Sequence, residues 1–304
     1  MMRRRREEST SQKPQDAAWE CLVARFERAF VRNGLNVRTI RLFHSVVHGY
    51  YENHGRKLPW RRTKKPYHIL VSEVMLQQTQ VERVMDKYSL FLKRFPNFKA
   101  LAHVPLRSVL RTWQGLGYNR RAVHLRQAAQ LVTRQWHDRL PRDIEKLIIL
   151  PGVGRATAGA VLAYAFNRPV VFIETNIRTV FLHFFFKNQQ NVTDAEILPF
   201  VEKTMDRANP RVWYYALMDL GAMLKKQYGN PNWRSAHHAR QSRFEGSDRQ
   251  IRGMILRMLV SEQRVSRTRL ARSASVSRSR LEGILAQLEK EQLIRKHGRA
   301  YTIA

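Results

Sequence analysis

The chain has 304 residues, 43% of them apolar, which is enough to bury a core in about two domains. Its 55 Lys and Arg against 24 Asp and Glu give a net charge of +31, which points to a polyanionic partner such as nucleic acid. Cys21 is the only cysteine, excluding an intrachain disulfide and any all-cysteine metal site.

The opening MMRRRREEST is basic with no apolar stretch behind it, so residues 1–16 read as a disordered arm and not as a secretory signal. From Ala18 onward Trp19, Leu22, Val23, Phe26 and Phe30 recur at helical spacing. The cationic, proline-broken RKLPWRRTKKPY reads as a surface loop. Helical spacing then dominates to about residue 225. Pro105 sits as a first-turn residue, and Thr193 with Glu196 forms a capping box. The most apolar run, Val170 to Phe186, is interrupted by Glu174, Arg178 and His183, so no membrane span is expected. Residues 226–247 are polar, basic and rich in turn formers, as a loop or linker is. Over residues 248–304 three helical stripes precede an alternating tail around His297-Gly298, the order of a winged helix. That segment carries 13 Lys and Arg against 5 Asp and Glu, a net +8.

Three stretches carry candidate chemistry. In SEVMLQQTQV, residues 72–81, an acid sits in an apolar helical run. Thr79 with Glu82 reads as a capping box, so a new helix is expected to start there, leaving Gln77 and Gln78 at a junction. Glu73, one turn earlier, would be half-buried among Val71, Val74 and Leu76. Desolvation would raise its pKa and suit it to general acid–base work; pairing with an arginine is the bland alternative. In LPGVGRATAGAVL, Pro151 and Gly152 force a turn, Gly154 allows positive φ, and the amides from Val153 to Ala156 open a helix suited to a phosphate oxygen. A tight interhelical turn would look the same. The third stretch, VVFIETNIRTV, returns Glu174 toward this hairpin, so that two acids could face one cleft.

Together with LPWR, FPNFKALAHVPLRSVLRTWQGLGYNRRAVHLRQAA and ALMDLGAM, these motifs resemble the helix-hairpin-helix DNA glycosylases, and among them the MutY-type adenine DNA glycosylases, from about Phe43 to Met223. The resemblance implies an all-α, two-domain fold with the active site between the domains. A discontinuous helical domain would span 17–58 and 168–225, a six-helix barrel 59–167, and the winged-helix-like module 248–304. It implies Glu73 as the acid that protonates the departing base and Glu174 as the second catalytic carboxylate. DNA contacts are expected from Gln77, Gln78, Thr79, Gly115, Gly117, Tyr118, Pro151, Gly152, Val153, Gly154, Arg155 and Asn176, with Gln78 as the wedge beside an extruded nucleotide. The expected partner is duplex DNA holding a mispaired or damaged base, bound by a monomer inside the cell.

Departures from the family pattern refine these expectations. The second family carboxylate is an aspartate, whereas here it is Glu174, longer by about an ångström. The lysine of bifunctional relatives is replaced by Ala156, so a Schiff base and strand cleavage are not expected. Relatives carry four iron–sulfur cysteines after the segment matching DLGAM. This chain has none there, so no cofactor or metal is expected, with His237 and His238 read as loop residues. Lys225, Lys226, Arg234 and Arg240 are the cations expected to hold the DNA backbone instead. The C-terminal module is too short for the family's 8-oxoguanine recognition domain, which keeps alternatives open. Adenine opposite guanine or 8-oxoguanine is the first expected substrate; a thymine or uracil mismatch glycosylase and a non-catalytic binder of distorted DNA are the others.

Overall fold

A computed structural model of the chain describes residues 14–238 and 243–304. The arm expected over residues 1–16 lies outside the described residues as far as 13, and from Pro14 the chain is helical. The fold is mostly helical and divides into two compact units. One gathers the chain up to Arg56 with Pro169–His238; the other gathers Lys57–Arg168 with the described residues from 243 on.

The first unit opens with α1 (Pro14–Asn33) and α2 (Val37–His54). Asn36 and Thr39 cap α2 reciprocally, which fixes where it starts. The second unit then runs through α3 (Pro66–Leu76), α4 (Val81–Arg94), α5 (Phe98–His103), α6 (Leu106–Trp113), α7 (Arg120–Trp136), α8 (Ile144–Ile148) and α9 (Arg155–Phe166). Pro66 opens α3 at a position where its missing N–H costs nothing. Residues 158–165 of α9 are all buried, and its small side chains let it lie against α3. Pro105 stands just outside α6 as its N-cap.

The chain returns to the first unit with α10 (Thr175–Phe184), α11 (Asp194–Thr204) and α12 (Pro210–Gln227). The expected capping box of Thr193 and Glu196 forms, with Glu196 accepting from the Thr193 amide at 2.8 Å. The core of this unit is aromatic. Phe43 meets Phe26 at 5.4 Å, Phe185 at 4.9 Å and Trp213 at 5.8 Å between ring centroids.

The C-terminal module follows the winged-helix order: α13 (Asp248–Ser261), β1 (Val265–Ser266), α14 (Arg267–Ala274), α15 (Arg278–Lys290), β2 (Ile294–His297) and β3 (Ala300–Ile303). The sheet is antiparallel in the order β1-β3-β2, with Val265 opposite Tyr301 and Ile294 opposite Ile303. Arginines from α6 fasten this module to the helices around it. The Arg107 guanidinium donates to the Val260 carbonyl at 3.0 and 2.9 Å, and Arg111 donates to the same oxygen at 3.4 Å. Two cations therefore sit where the last carbonyls of α13 lack helical partners.

In the first unit α10 and α12 approach so closely that a Cβ on Gly221 would lie 2.2 Å from the Asn176 carbonyl oxygen. Gly221→Ala must push the two helices apart, costing about 1–3 kcal/mol and lowering the melting temperature in a thermal scan. An unchanged melting temperature would contradict that close approach.

Candidate active site

The helix that bears Glu73 does break where the paired glutamines stand, but not through the expected cap. α3 ends at Leu76, Gln78 turns left-handed at φ +53°, and α4 begins at Val81 with no side-chain cap from its N-cap Gln80. Thr79 does not cap α4, because its hydroxyl lies 3.3 Å from the Leu116 carbonyl and accepts from Arg121 at 2.9 Å. Gln78 is exposed at the tip of the junction, and Glu73 is half-buried one turn before it. Gln77 faces inward instead, its Nε2 donating to the Gly152 carbonyl at 3.2 Å and the Thr157 hydroxyl at 3.1 Å.

Arg121, on the first turn of α7, organises this region, and sequence reasoning missed it. Its guanidinium is buried and donates to the carbonyls of Val74 at 2.9 Å, Met75 at 2.8 Å and Gln77 at 2.5 Å, all at the end of α3. The same group donates to Leu116 at 3.3 Å and Gly117 at 3.1 Å, and lies 5.4 Å over the Trp113 ring and 5.5 Å over the Tyr118 ring. Burial lowers its pKa to about 10, so it remains charged at neutral pH. The turn that it holds is left-handed at Gly115 (φ +95°), Gly117 (φ +74°) and Tyr118 (φ +46°). Arg83 donates to the Gly115 carbonyl. Arg249, from the C-terminal module, donates to the Tyr118 hydroxyl at 2.9 Å.

The hairpin differs in detail from expectation. α8 ends at Ile148, the left-handed glycine is Gly152 (φ +76°), and Gly154 is the N-cap of α9 at φ −86°. A Cβ on Gly152 would lie 2.9 Å from His124 Cβ, so both contact and dihedral demand glycine there. The Val153 amide closes the turn onto the Leu150 carbonyl at 3.0 Å and is not open to a ligand. The first helical bond of α9 runs from Ala158 to Gly154, which leaves the amides of Gly154, Arg155, Ala156 and Thr157 at the helix's open end. Pro151 is half-buried, and the exposed Arg155 side chain pairs with Glu145 at 3.1 Å.

Glu174 belongs to the other unit, where it is the N-cap of α10. Its Oε1 accepts from the amides of Asn176 at 2.5 Å and Ile177 at 2.9 Å. Although the residue as a whole is half-buried, burial of its carboxyl raises the pKa, outweighing the Ile177 amide, the Lys225 ammonium, the Asn176 amide and Arg178. Lys225 is lowered by burial in turn, with Glu174 acting against that shift. Asn176, expected at DNA, also turns its Nδ2 inward, 3.5 Å from Glu174 Oε2.

The cations expected in a loop after DLGAM are placed otherwise. Lys225 and Lys226 lie within α12, and Arg240 lies outside the described residues. Arg234 is buried and donates to the carbonyls of Leu182 at 3.0 Å, Phe186 at 2.7 Å and Lys187, closing the C-terminal end of α10. Asn232 donates to the Thr179 hydroxyl at 2.7 Å. The donor set does not suit an iron–sulfur cluster: the single thiol, Cys21, stands exposed on α1, and no group of three or more His, Cys, Asp or Glu residues among those described could hold a metal.

Residues 71–208 match the model of the HhH-GPD superfamily base excision DNA repair protein. The chain is 36% identical over 191 residues to the adenine DNA glycosylase of Buchnera aphidicola, a match taking in 61% of this chain and 54% of that protein. It is 35% identical over 228 residues to the adenine DNA glycosylase of Mycolicibacterium smegmatis, covering 69% of this chain and 78% of the relative. The chain belongs to the HhH-GPD superfamily. It spans about half the length of the Buchnera relative. Among solved structures, this superfamily member is similar to a thermostable thymine-DNA glycosylase at 26% identity and a TM-score of 0.56, with 60% of this chain and 86% of that one covered.

The raised pKa of Glu174 makes a pH signature. Its folded pKa lies above the ordinary value of 4.5, so the stability tied to its protonation is present below that value and lost as pH rises through the folded pKa. Glu174→Gln keeps a hydrogen-bond acceptor and removes the titration. Denaturant midpoints measured across mildly acidic pH should therefore fall less with rising pH in the variant than in the wild type, whereas parallel curves would contradict the buried carboxyl.

Proposed function

We propose that the chain is a monofunctional DNA glycosylase that removes adenine mispaired with guanine or 8-oxoguanine from duplex DNA. The observation that carries this reading is the interrupted helix. Glu73 stands half-buried one turn before an exposed, left-handed Gln78, and the break between them and α4 is held by the buried Arg121. In this reading Gln78 fills the space of an extruded nucleotide, and Glu73 protonates the departing base. The C1′–N bond breaks, positive charge spreads over the sugar, and a water from which Glu73 takes a proton adds to C1′, leaving an abasic site and a free base. Glu174 provides the negative charge that stabilises the sugar cation. The amides of Gly154, Arg155 and Ala156 take a phosphate oxygen.

Ala156, lacking an amine, supports hydrolysis without strand cleavage. Arg234 and Asn232 brace the segment after α12 by hydrogen bonds, which supports a segment held in place without a cluster. No helix among the described residues is long and apolar enough to cross a membrane; a DNA substrate itself implies a site of action inside the cell. A second reading, excision of thymine or uracil opposite guanine, draws on the glutamate at position 174 and on the likeness to a thymine-DNA glycosylase.

Labelled duplexes carrying A opposite G, A opposite 8-oxoguanine, T opposite G or U opposite G separate these readings after alkali treatment. Breaks at adenine that need alkali are expected; breaks at thymine or uracil would establish the second reading. Glu73→Gln should retain duplex binding and lose at least about a hundredfold in excision rate. Turnover equal to the wild type would remove Glu73 from the reaction, and loss of all excision in the wild type would leave a non-catalytic binder.

A further inference from the structure

The C-terminal module carries cations that the proposed excision does not use, and their contacts form short runs that meet at the start of α15, where Arg278 and Arg280 lie two residues apart. Beginning at the left-handed turn, Arg249 donates to the Tyr118 hydroxyl at 2.9 Å. Its neighbour Asp248 accepts from Arg280 Nε at 2.9 Å, and Arg280 also donates to the Gly246 carbonyl at 2.6 Å. Arg278, 85% exposed at the start of α15, donates to Glu282 at 3.2 Å. Glu282 also accepts from Arg267 on α14. The Arg267 amide donates to the Arg299 carbonyl at 2.9 Å, and Arg264 donates to the His297 carbonyl at 3.1 Å, where the β2–β3 turn projects. Six arginines thus form a ribbon broken by only two acids, Asp248 and Glu282.

We infer that this ribbon is a second track for the phosphates of duplex DNA, joined at Tyr118 to the proposed excision site and engaging the duplex beside the target base. This rests on the glycosylase reading, because that reading puts the Gly115–Tyr118 turn at the duplex. Two physical features select DNA over other occupants. The ribbon carries a net charge of four, six arginines less two acids, and planar guanidiniums suit phosphate oxygens in pairs. Its position is fixed, because Arg107 and Arg111 tie the end of α13 to α6, so little ordering is lost on binding.

Equilibrium binding to undamaged duplexes of about 10 and about 30 base pairs, across a salt series, tests the inference. The full chain should bind the longer duplex more tightly and with a steeper salt dependence. Arg278→Ala combined with Arg299→Ala, two exposed side chains, should reduce the slope of log K against log salt on the longer duplex by about 2 and weaken binding about tenfold, with the short duplex unaffected. Glu282→Gln removes an anion from the ribbon and should tighten binding to the longer duplex. Circular dichroism checks that each variant folds. Unchanged affinity and slope in the double variant would overturn the inference and turn the ribbon toward an acidic protein surface. Excision from the short duplex reads out the glycosylase reading separately: a double variant that excises normally but keeps full affinity refutes the ribbon alone.

Discussion

One buried cation, Arg121, holds the candidate site together. Removing a guanidinium from water costs several kcal/mol unless its N–H groups are satisfied. Arg121 offsets that cost at its two terminal nitrogens, with carbonyl oxygens from Val74, Met75 and Gln77 around one and from Leu116 and Gly117 around the other, while its buried Nε has no hydrogen-bond partner among the described residues. The first group is the C-terminal end of α3, whose last carbonyls have no helical partners and carry the negative end of the helix dipole. The second group is a turn with three left-handed residues, which would not hold such a shape unaided. From these two turns the constraint extends outward, through Gln77 to the hairpin at Gly152 and through Tyr118 to Arg249.

The same device recurs. Arg107 and Arg111 close the end of α13, and Arg234 closes the end of α10. A net charge of +31 therefore overstates the charge available at the surface, since part of it fastens helix ends inside the protein. In the first unit the logic is mirrored at an N-terminus, where Glu174 caps α10 with its carboxylate. Asp219, buried in α12, accepts from the Arg56 amide at 2.8 Å and its Nε at 2.5 Å, tying the end of the α2 segment to α12.

Local features were legible in the sequence; distant ones were not. The box of Thr193 and Glu196 formed because all its partners lie within three residues and nothing competes for them. The box of Thr79 and Glu82 has the same spacing and did not form, since a guanidinium forty-two residues away takes the threonine hydroxyl. The helix break was thus anticipated for a reason that is not the one at work. Gly152 and Gly154 show a similar limit: both suit a turn, and it is Gly152, lying against His124, that is left-handed. Arg121 and Arg234 were indistinguishable in sequence from the many arginines that face solvent. Arg234 in particular read as a loop cation because its segment is polar and rich in turn formers, and only its buried partners in α10 assign it a structural task.

Hydrogen–deuterium exchange in the variant Arg121→Met, which keeps the apolar stem and removes the guanidinium, tests the dependence of both turns on one residue. The amides of Thr79, bonded to Leu76 at 3.2 Å, and of Leu116, bonded to Trp113 at 3.1 Å, report on the two segments. Both should exchange faster, and by similar factors, while protection in α9 persists. Wild-type protection at both amides, or loss at one alone, would show that the turns are held independently of Arg121.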